Sequence, residues 1–499
     1  FIWPQSFFPT AGTATVIFFE RGDMIFDNSA MNRDNRFVNI LLPGLLVFTA
    51  ALLIRLYLTY SIGDSGDEFI KWYQTKRVLY GLGWDRFDHH TVRWSLNSPV
   101  LLAQWLFGTK PAVYYFAPVF FGALASLFVF NIARSISGIW TGFAAVLLFT
   151  IAPSISRAGS QFLPAIFTCA YVLGSAYFIL CYTRCRSQHS AYLVLAALFM
   201  FLAYGTKVPN LFFLPGICLF LYWRSRSLKP ILIFLLILLA FYIAETIGLA
   251  LFTGEFKWTG RLYYLGFHMN RMLEEEHIYH FSDIWKRWTI LPAYWQVLLA
   301  GACASGIFAW TRKLDDCSSG IILIFFMLLS FSILTTFAIT DADPLRFVQP
   351  LRPRYLTVTL PLAVIVSICA IAMINIVMVP VTVLVFCMVW VPNYSAQLRP
   401  DWVPAVLRAH GYQKSISDHW RNNYALCFKR AKHSRLYRSV YLEDDILFKK
   451  DGSIEKITRI NPKRFSFPTG QPIIFMISRT NMPIGYLELV RSQASVSYT

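Results

Sequence analysis

Long apolar runs punctuate this chain, and no other feature limits its fold so severely. We read eleven of them: 37–60, 112–133, 138–153, 163–182, 190–205, 209–223, 229–252, 290–310, 319–340, 355–373 and 375–392. A helix crossing the hydrocarbon of a bilayer needs about 20 residues. Inside lipid every backbone polar group must bond within its own segment, so such runs fold as helices. Charged residues make up only 14% of the chain, against about 25% in a soluble domain. Aromatic residues reach 17%, and many stand at the ends of the runs, where interfacial belts form. The expected fold is an all-α polytopic membrane bundle of about eleven transmembrane helices.

Basic residues set the expected sidedness. With the N-terminus inside, the short turns carrying Arg134, Arg184, Arg186, Arg224, Arg226, Lys229, Arg312 and Lys313 are cytoplasmic, as the positive-inside bias requires. The longer loops 61–111, 253–289 and 341–354 then lie outside, together with residues 393–499. This arrangement accounts for the net charge of +18 without nucleic acid as a partner, although basic groups at the surface also attract anionic lipids. Most of the nine cysteines sit within apolar runs, and none has zinc-ligand spacing. Residues 1–36 fit no clear element. Met24 or Met31 reads as the natural start, and the first span as an uncleaved anchor.

The domain boundaries follow from composition: 1–36 as an N-terminal segment, 37–392 as the membrane module, and 393–499 as a small mixed α/β extramembrane domain. In the last of these, "ILFKKDGSIEKITRI" reads as a hairpin around Asp451-Gly452, a dipeptide suited to a type I′ turn.

The first external loop carries an adjacent acidic pair, Asp67 and Glu68, on the probable helix "GDEFIKWYQTKRVLYGLG". Asp67 precedes Lys71 by four residues and Glu68 by three, the spacings at which helix side chains meet. One reading is an amphipathic helix lying among headgroups, with Phe69, Ile70, Tyr73, Val78 and Leu79 as its apolar face and solvated acids. The other is catalytic. A carboxylate partly desolvated at the membrane surface is a stronger base. It could take a proton from an acceptor hydroxyl while a lipid-borne sugar waits alongside. A phosphate leaving group departs without acid assistance, since its second pKa is about 6. It does need cations to hold it. Lys207, in "YGTKVPN", and Arg352 and Arg354, in "LRPRY", stand at the external ends of apolar runs. Cations so placed either snorkel or clamp an anion, here a polyprenyl phosphate.

The order of these elements resembles the GT-C superfamily of integral-membrane glycosyltransferases, nearest to the branch of protein O-mannosyltransferases and lipid A aminoarabinose transferases. The likeness runs over about residues 37–365. It rests on "GDE", "YGLGWD", "NSPVLLAQWLFG", "ARSISG", "YGTKVPNLFFLPG" and "RPRYLTVTLPLA". The resemblance implies a GT-C-like bundle with two amphipathic external helices after the first span. It also implies a sugar donor on undecaprenyl or dolichyl phosphate and inversion at the anomeric carbon. Asp67 takes the place of the catalytic carboxylate and Glu68 that of its partner. Lys207 falls at the Lys near the lipid phosphate, and Arg354-Tyr355 at the "RY" before the late span. The chain departs from the family where "HPP" often stands, reading "FDHHTVRWSLNSP" instead. It also has Arg157 and Gln161 where an Asp is common.

Asp85, His89 and His90 are further candidates for the acceptor or donor site. Their spacing fits no common metal site, so no metal ligands are assigned and no cofactor is certain, although the family leaves a divalent cation open. The chain lacks a phosphate-cradling Gly-rich loop, which disfavours nucleotide-sugar donors and ATP-driven transport. The expected function is transfer of a sugar from a polyprenyl-phosphate donor to a lipid, glycan or protein hydroxyl. It would occur on the extracytoplasmic face of a bacterial inner membrane, or of the endoplasmic reticulum in a eukaryote. The rivals are a transporter or flippase of lipid-linked sugars and a non-catalytic subunit of a membrane complex. A carrier would place charge near the bilayer midplane, where Glu245 is the main candidate.

Overall fold

The computed structural model describes residues 33–58, 66–81, 90–109, 111–184, 190–265, 293–311, 316–337, 339–342, 345–347, 357–397, 446–448 and 454–457. The chain opens with α1 (Arg33–Tyr57), α2 (Gly66–Leu79) and α3 (Trp94–Phe107). After a 3-10 turn at Pro111–Tyr115 come α4 (Phe116–Ser137), α5 (Ile139–Ile151), the short α6 (Pro153–Ala158), α7 (Pro164–Arg184) and α8 (Ser190–Thr206). A second 3-10 turn, Val208–Phe213, leads to α9 (Leu214–Ser225), α10 (Lys229–Thr253), α11 (Ala293–Thr311) and α12 (Asp316–Phe337). Strands β1 (Ile339–Ala342) and β2 (Leu345–Phe347), helices α13 (Leu360–Ile374) and α14 (Met378–Gln397), and strands β3 (Ile446–Phe448) and β4 (Ile454–Ile457) follow.

Every apolar run read from the sequence falls on one of these helices. Among the described residues, four helical stretches are long and apolar enough to cross a membrane alone: Val113–Ser137, Pro164–Arg184, Lys229–Thr253 and Ser318–Thr335. The others are shorter. Two of the four long stretches stop where the sequence supplies a breaker. Helix α4 ends on Gly138 at φ 95° and α10 on Gly254 at φ 74°, backbone conformations open to glycine at no steric cost.

Helix α4 is the hub, packing against α1, α3, α5, α7, α12 and α13. Helix α7 pairs closely with α8, and α9 with α12. The span of α7 is 78% buried and that of α10 only 11%, so α10 forms the outer wall. Between helices in lipid, association depends on close packing more than on the hydrophobic effect. Small residues accordingly mark the tightest contacts. A Cβ on Gly216 of α9 would stand 2.6 Å from the carbonyl carbon of Phe326 and 2.7 Å from the nitrogen of Met327, both on α12.

The two ends of the bundle differ in chemistry. At one, Arg184 donates to the Ser135 carbonyl (2.7 Å), with Gly320 beside its guanidinium. The basic turns following α4 and α7 therefore meet the start of α12. At the other end lie α2, α3, the turn joining α8 to α9, and the segment following α10. The described parts of loops 61–111 and 253–289, both read as lying on one side of the membrane, thus share one end of the molecule.

Two features of the strands bear on the sequence reading. Strand β3 pairs antiparallel with β4, Ile446 opposite Ile457, which is the hairpin expected around Asp451-Gly452. The remainder of 393–499 lies outside the described residues, beyond the end of α14 at Gln397, as does 1–32. The β1–β2 hairpin was not anticipated. It sets Asp341 opposite Arg346 in register, in a stretch read from the sequence as the end of a span followed by a loop.

Candidate functional site

The site is best approached from the turn that carries Lys207. Helix α8 ends at Thr206, and Lys207 adopts extended backbone (φ −161°, ψ 128°) before the 3-10 turn opened by Val208-Pro209. Proline suits that place because its missing N–H costs nothing in a first turn. Beneath Lys207 lies a buried polar network. Asn210 Nδ2 reaches the Ala203 carbonyl (2.7 Å) and the hydroxyls of Thr206 and Thr168 (3.0 Å each). Those two hydroxyls are 2.7 Å apart. Thr168, Thr206 and Asn210 are almost fully buried. This network ties the end of α8 to α7 and satisfies terminal carbonyls that a helix leaves orphaned. Lys207, half-buried above it, rides on a rigid base.

The start of α3 closes against the same turn. Ser95 Oγ donates to the Leu202 carbonyl (2.8 Å), and Tyr171 of α7 donates to the Ser95 carbonyl (2.9 Å). A Cβ on Gly205 would stand 2.7 Å from Cβ of Ser95, so only glycine lets α3 approach this closely. Asn97 donates to the carbonyls of His90 (2.9 Å) and Thr91 (3.1 Å). His90, one of the predicted site residues, is thereby buried in the turn that leads into α3.

Helix α2 forms as expected, with Asp67 and Glu68 in its first turn, one turn ahead of Lys71; only the backbone of this acidic pair is described. The amphipathic reading of the helix needs correction. Lys71, Trp72, Gln74, Thr75 and Lys76 are the buried residues, while Val78 and Leu79 are only half-buried. Phe69, Ile70 and Tyr73 lie outside the described side chains. Among the described side chains this inward face mixes Trp72 with polar groups, and it packs onto α3 and under the segment following α6. The Lys71 ammonium sits 5.9 Å over the Phe162 ring. Trp72 meets Tyr114 edge to face, and Gln104 of α3 donates to the Trp72 carbonyl (3.2 Å). An ammonium buried this fully calls for compensating charge or aromatic faces around it.

Arg55, near the end of α1, is also buried. Its guanidinium lies 5.2 Å over the Phe149 ring, beside Gly122 and Gly159. Of the two residues noted in the sequence as departures from the family pattern, Arg157 is exposed and Gln161 buried. Asp85, His89, Arg352, Arg354 and Tyr355 lie outside the described residues. The chain is described again from Thr357, whose carbonyl accepts from the Cys169 thiol (3.8 Å), one residue from Thr168. Among the described residues no cluster of three or more His, Cys, Asp or Glu side chains could hold a metal.

Sequence reasoning missed the partners of Glu245. This carboxylate lies in the C-terminal half of α10, eight residues before its end at Thr253. It accepts from Trp94 Nε1 and pairs with Arg261 Nε at 3.5 Å. Arg261 also donates to the Gly205 carbonyl (2.8 Å) and stacks its guanidinium 3.7 Å over the Tyr204 ring. A charge that a carrier would need available within the span is held in a pair.

Residues 101–247 match the family model of dolichyl-phosphate-mannose-protein mannosyltransferases. Over that stretch the resemblance drawn from the sequence is borne out. The stretch includes Lys207 and Glu245, whereas Asp67 and Arg261 fall outside it. Among solved structures, the chain is similar to the oligosaccharyltransferase of Archaeoglobus fulgidus in complex with zinc and sulfate. The two are 14% identical with a TM-score of 0.45, over 86% of this chain and 59% of that one. It is also similar to the archaeal oligosaccharyltransferase AglB of the same organism in complex with an inhibitory peptide and a dolichol-phosphate. There the identity is 14% and the TM-score 0.42, over 86% and 62% of the two chains. The chain therefore spans about three fifths of the length of those proteins. No curated protein matches it.

Proposed function

We propose that this chain moves a sugar from a polyprenyl-phosphate donor to an acceptor hydroxyl, at the end of the bundle that carries α2 and the Lys207 turn. The observation that carries the reading is the match of residues 101–247 to a mannosyltransferase family, with Lys207 inside that stretch on a buried, braced turn. In the proposed step, the acceptor oxygen attacks the anomeric carbon from the face opposite the phosphate. The bond from that carbon to the phosphate oxygen breaks with inversion. Asp67 takes the hydroxyl proton, and Glu68 supports it. The lipid phosphate leaves as an anion whose second pKa of about 6 makes it a competent leaving group. Lys207, Arg352 and Arg354 hold that charge, with Tyr355 beside them. Lys207 grips the negative charge that the donor phosphate already carries, and the two arginines meet the charge that develops as the bond breaks.

The donor arrives by lateral diffusion in the bilayer, and the acceptor hydroxyl belongs to a lipid, a glycan or a protein. The site faces the extracytoplasmic side of a bacterial inner membrane, or of the endoplasmic reticulum membrane, where nucleotide sugars are absent. A flippase is the weaker alternative, because Glu245 is engaged by Arg261 and Trp94.

The test uses the purified chain in lipid nanodiscs with polyprenyl-phosphate mannose, the donor that the matched family's description suggests first. Polyprenyl phosphate should be released together with a mannosylated acceptor. Lys207→Ala should raise the donor KM about tenfold with kcat little changed, since the low end of what one hydrogen bond to a charged group contributes, about 1.5 kcal/mol, is about a tenfold effect. Failure of the wild-type chain to bind either polyprenyl phosphate or its mannosyl form would end the proposal.

A further inference from the structure

We propose that Arg261 is a positioning residue that sets the place of Lys207 for the donor phosphate. The inference rests on the reading of Lys207 given above. Arg261 is 1% exposed and Glu245 5%. Removing two charges from water costs more than their attraction commonly returns, so stability alone does not explain a pair held at this depth. The geometry around it points to a different task. The Arg261 guanidinium stacks on Tyr204, and its Nη1 donates to the carbonyl of Gly205, the next residue but one before Lys207. Gly205 lies in the last turn of α8, where carbonyls lack helical partners and the helix dipole favours a cation. Glu245 holds the guanidinium from the other side, itself fixed by the indole of Trp94. Arg261 Nε and Nη2 and Glu245 Oε2 are buried and make no hydrogen bond, a further cost that leaves the stability of the fold no reason for the pair.

Local backbone brings Arg261 to this depth. After α10 ends, the chain folds back along the same helix. Gly260 takes φ 55°, and a Cβ there would stand 2.7 Å from Thr246 Oγ1. Glycine is thus needed both for the turn and for the contact, and the next residue lands beside Glu245. Arg261 lies beyond the stretch that matches the mannosyltransferase family, so that likeness assigns it nothing. The carbonyl it holds is linked to Lys207 through Thr206 alone. Freeing that carbonyl lets the turn shift, and a cation displaced by about 1 Å loses much of its grip on an anion.

The experiment compares four variants in nanodiscs, titrating polyprenyl-phosphate mannose for KM and kcat and polyprenyl phosphate alone for binding. Glu245→Leu with Arg261→Met removes both charges together and leaves no buried ion unpaired, so folding is retained. Arg261→Lys keeps the charge but loses the planar fork needed to reach Glu245 and Gly205 at once. The paired variant should raise the donor KM about tenfold with kcat within about twofold, and weaken polyprenyl phosphate binding equally. Arg261→Lys should fall between it and the wild type. Adding Lys207→Ala to the paired variant should cause no further loss, because the two act through one contact. An unchanged KM in either Arg261 variant, while Lys207→Ala raises it, overturns the proposal and leaves the Lys207 reading intact. Losses that add also overturn it, whereas an unchanged KM in Lys207→Ala overturns the reading beneath both.

Discussion

Asp67→Asn is expected to reduce sugar transfer by about 10²–10⁴-fold, the usual contribution of a positioned general base, while polyprenyl phosphate binds as before. Asparagine has the size of aspartate and keeps one acceptor oxygen, but it cannot take a proton at neutral pH. The variant therefore separates proton transfer from positioning. Asp67 occupies the first turn of α2, a helix packed against α3, and α3 in turn seats directly on the Lys207 turn through Ser95. A carboxylate on that rigid support can be held to the tolerance that catalysis needs. Glu68→Gln serves as the internal comparison and should cost less, since Glu68 supports the step and does not accept the proton. Single-turnover assays with excess enzyme give the chemical step, and equilibrium binding of polyprenyl phosphate gives the rest. If Asp67→Asn turns over at the wild-type rate, Asp67 is not the base.

Gly216→Ala is expected to destabilise the bundle by about 3 kcal/mol, the upper part of the usual range for overpacking. The added Cβ would meet backbone: the carbonyl carbon of Phe326 at 2.6 Å and the nitrogen of Met327 at 2.7 Å. A flexible side chain could swing aside, but a helix backbone moves only as a body. Helices α9 and α12 would have to separate, and in lipid no hydrophobic gain offsets the lost contacts. Gly248→Ala is the control, because nothing lies within 4 Å of a Cβ at Gly248 of α10. There alanine should stabilise by about 0.5–1 kcal/mol, as it does in helix interiors generally. The melting temperatures of the two variants in detergent should move in opposite directions. A Gly216→Ala chain that melts with the wild type would show that α9 and α12 are not in close contact.

Local chemistry made much of the fold legible. Every apolar run became a helix because backbone in lipid has no other partner for its polar groups. Asp451-Gly452 marked the hairpin of β3 and β4 because that dipeptide accepts the turn. Arg134 and Arg184 marked one end of the bundle, and "GTK" marked the turn at the other. The matched stretch then supported the glycosyltransferase resemblance on which the choice of Lys207 leaned.

The partners within the bundle were not legible. Hydropathy separates inside from outside in water, but lipid is as apolar as a protein core, so an apolar helix does not announce which face its neighbours cover. Helices α7 and α10 read alike in sequence, yet one is 78% buried and the other 11%. Nor does local spacing reveal that Lys71 and Lys76 point inward, that Asn210 gathers Thr168 and Thr206, or that Arg261 reaches back to Gly205. The pairings of Asn210 with Thr168 and of Arg261 with Gly205 join residues far apart along the chain, and they exist only because helix packing removes water and leaves each polar group to find its partner there.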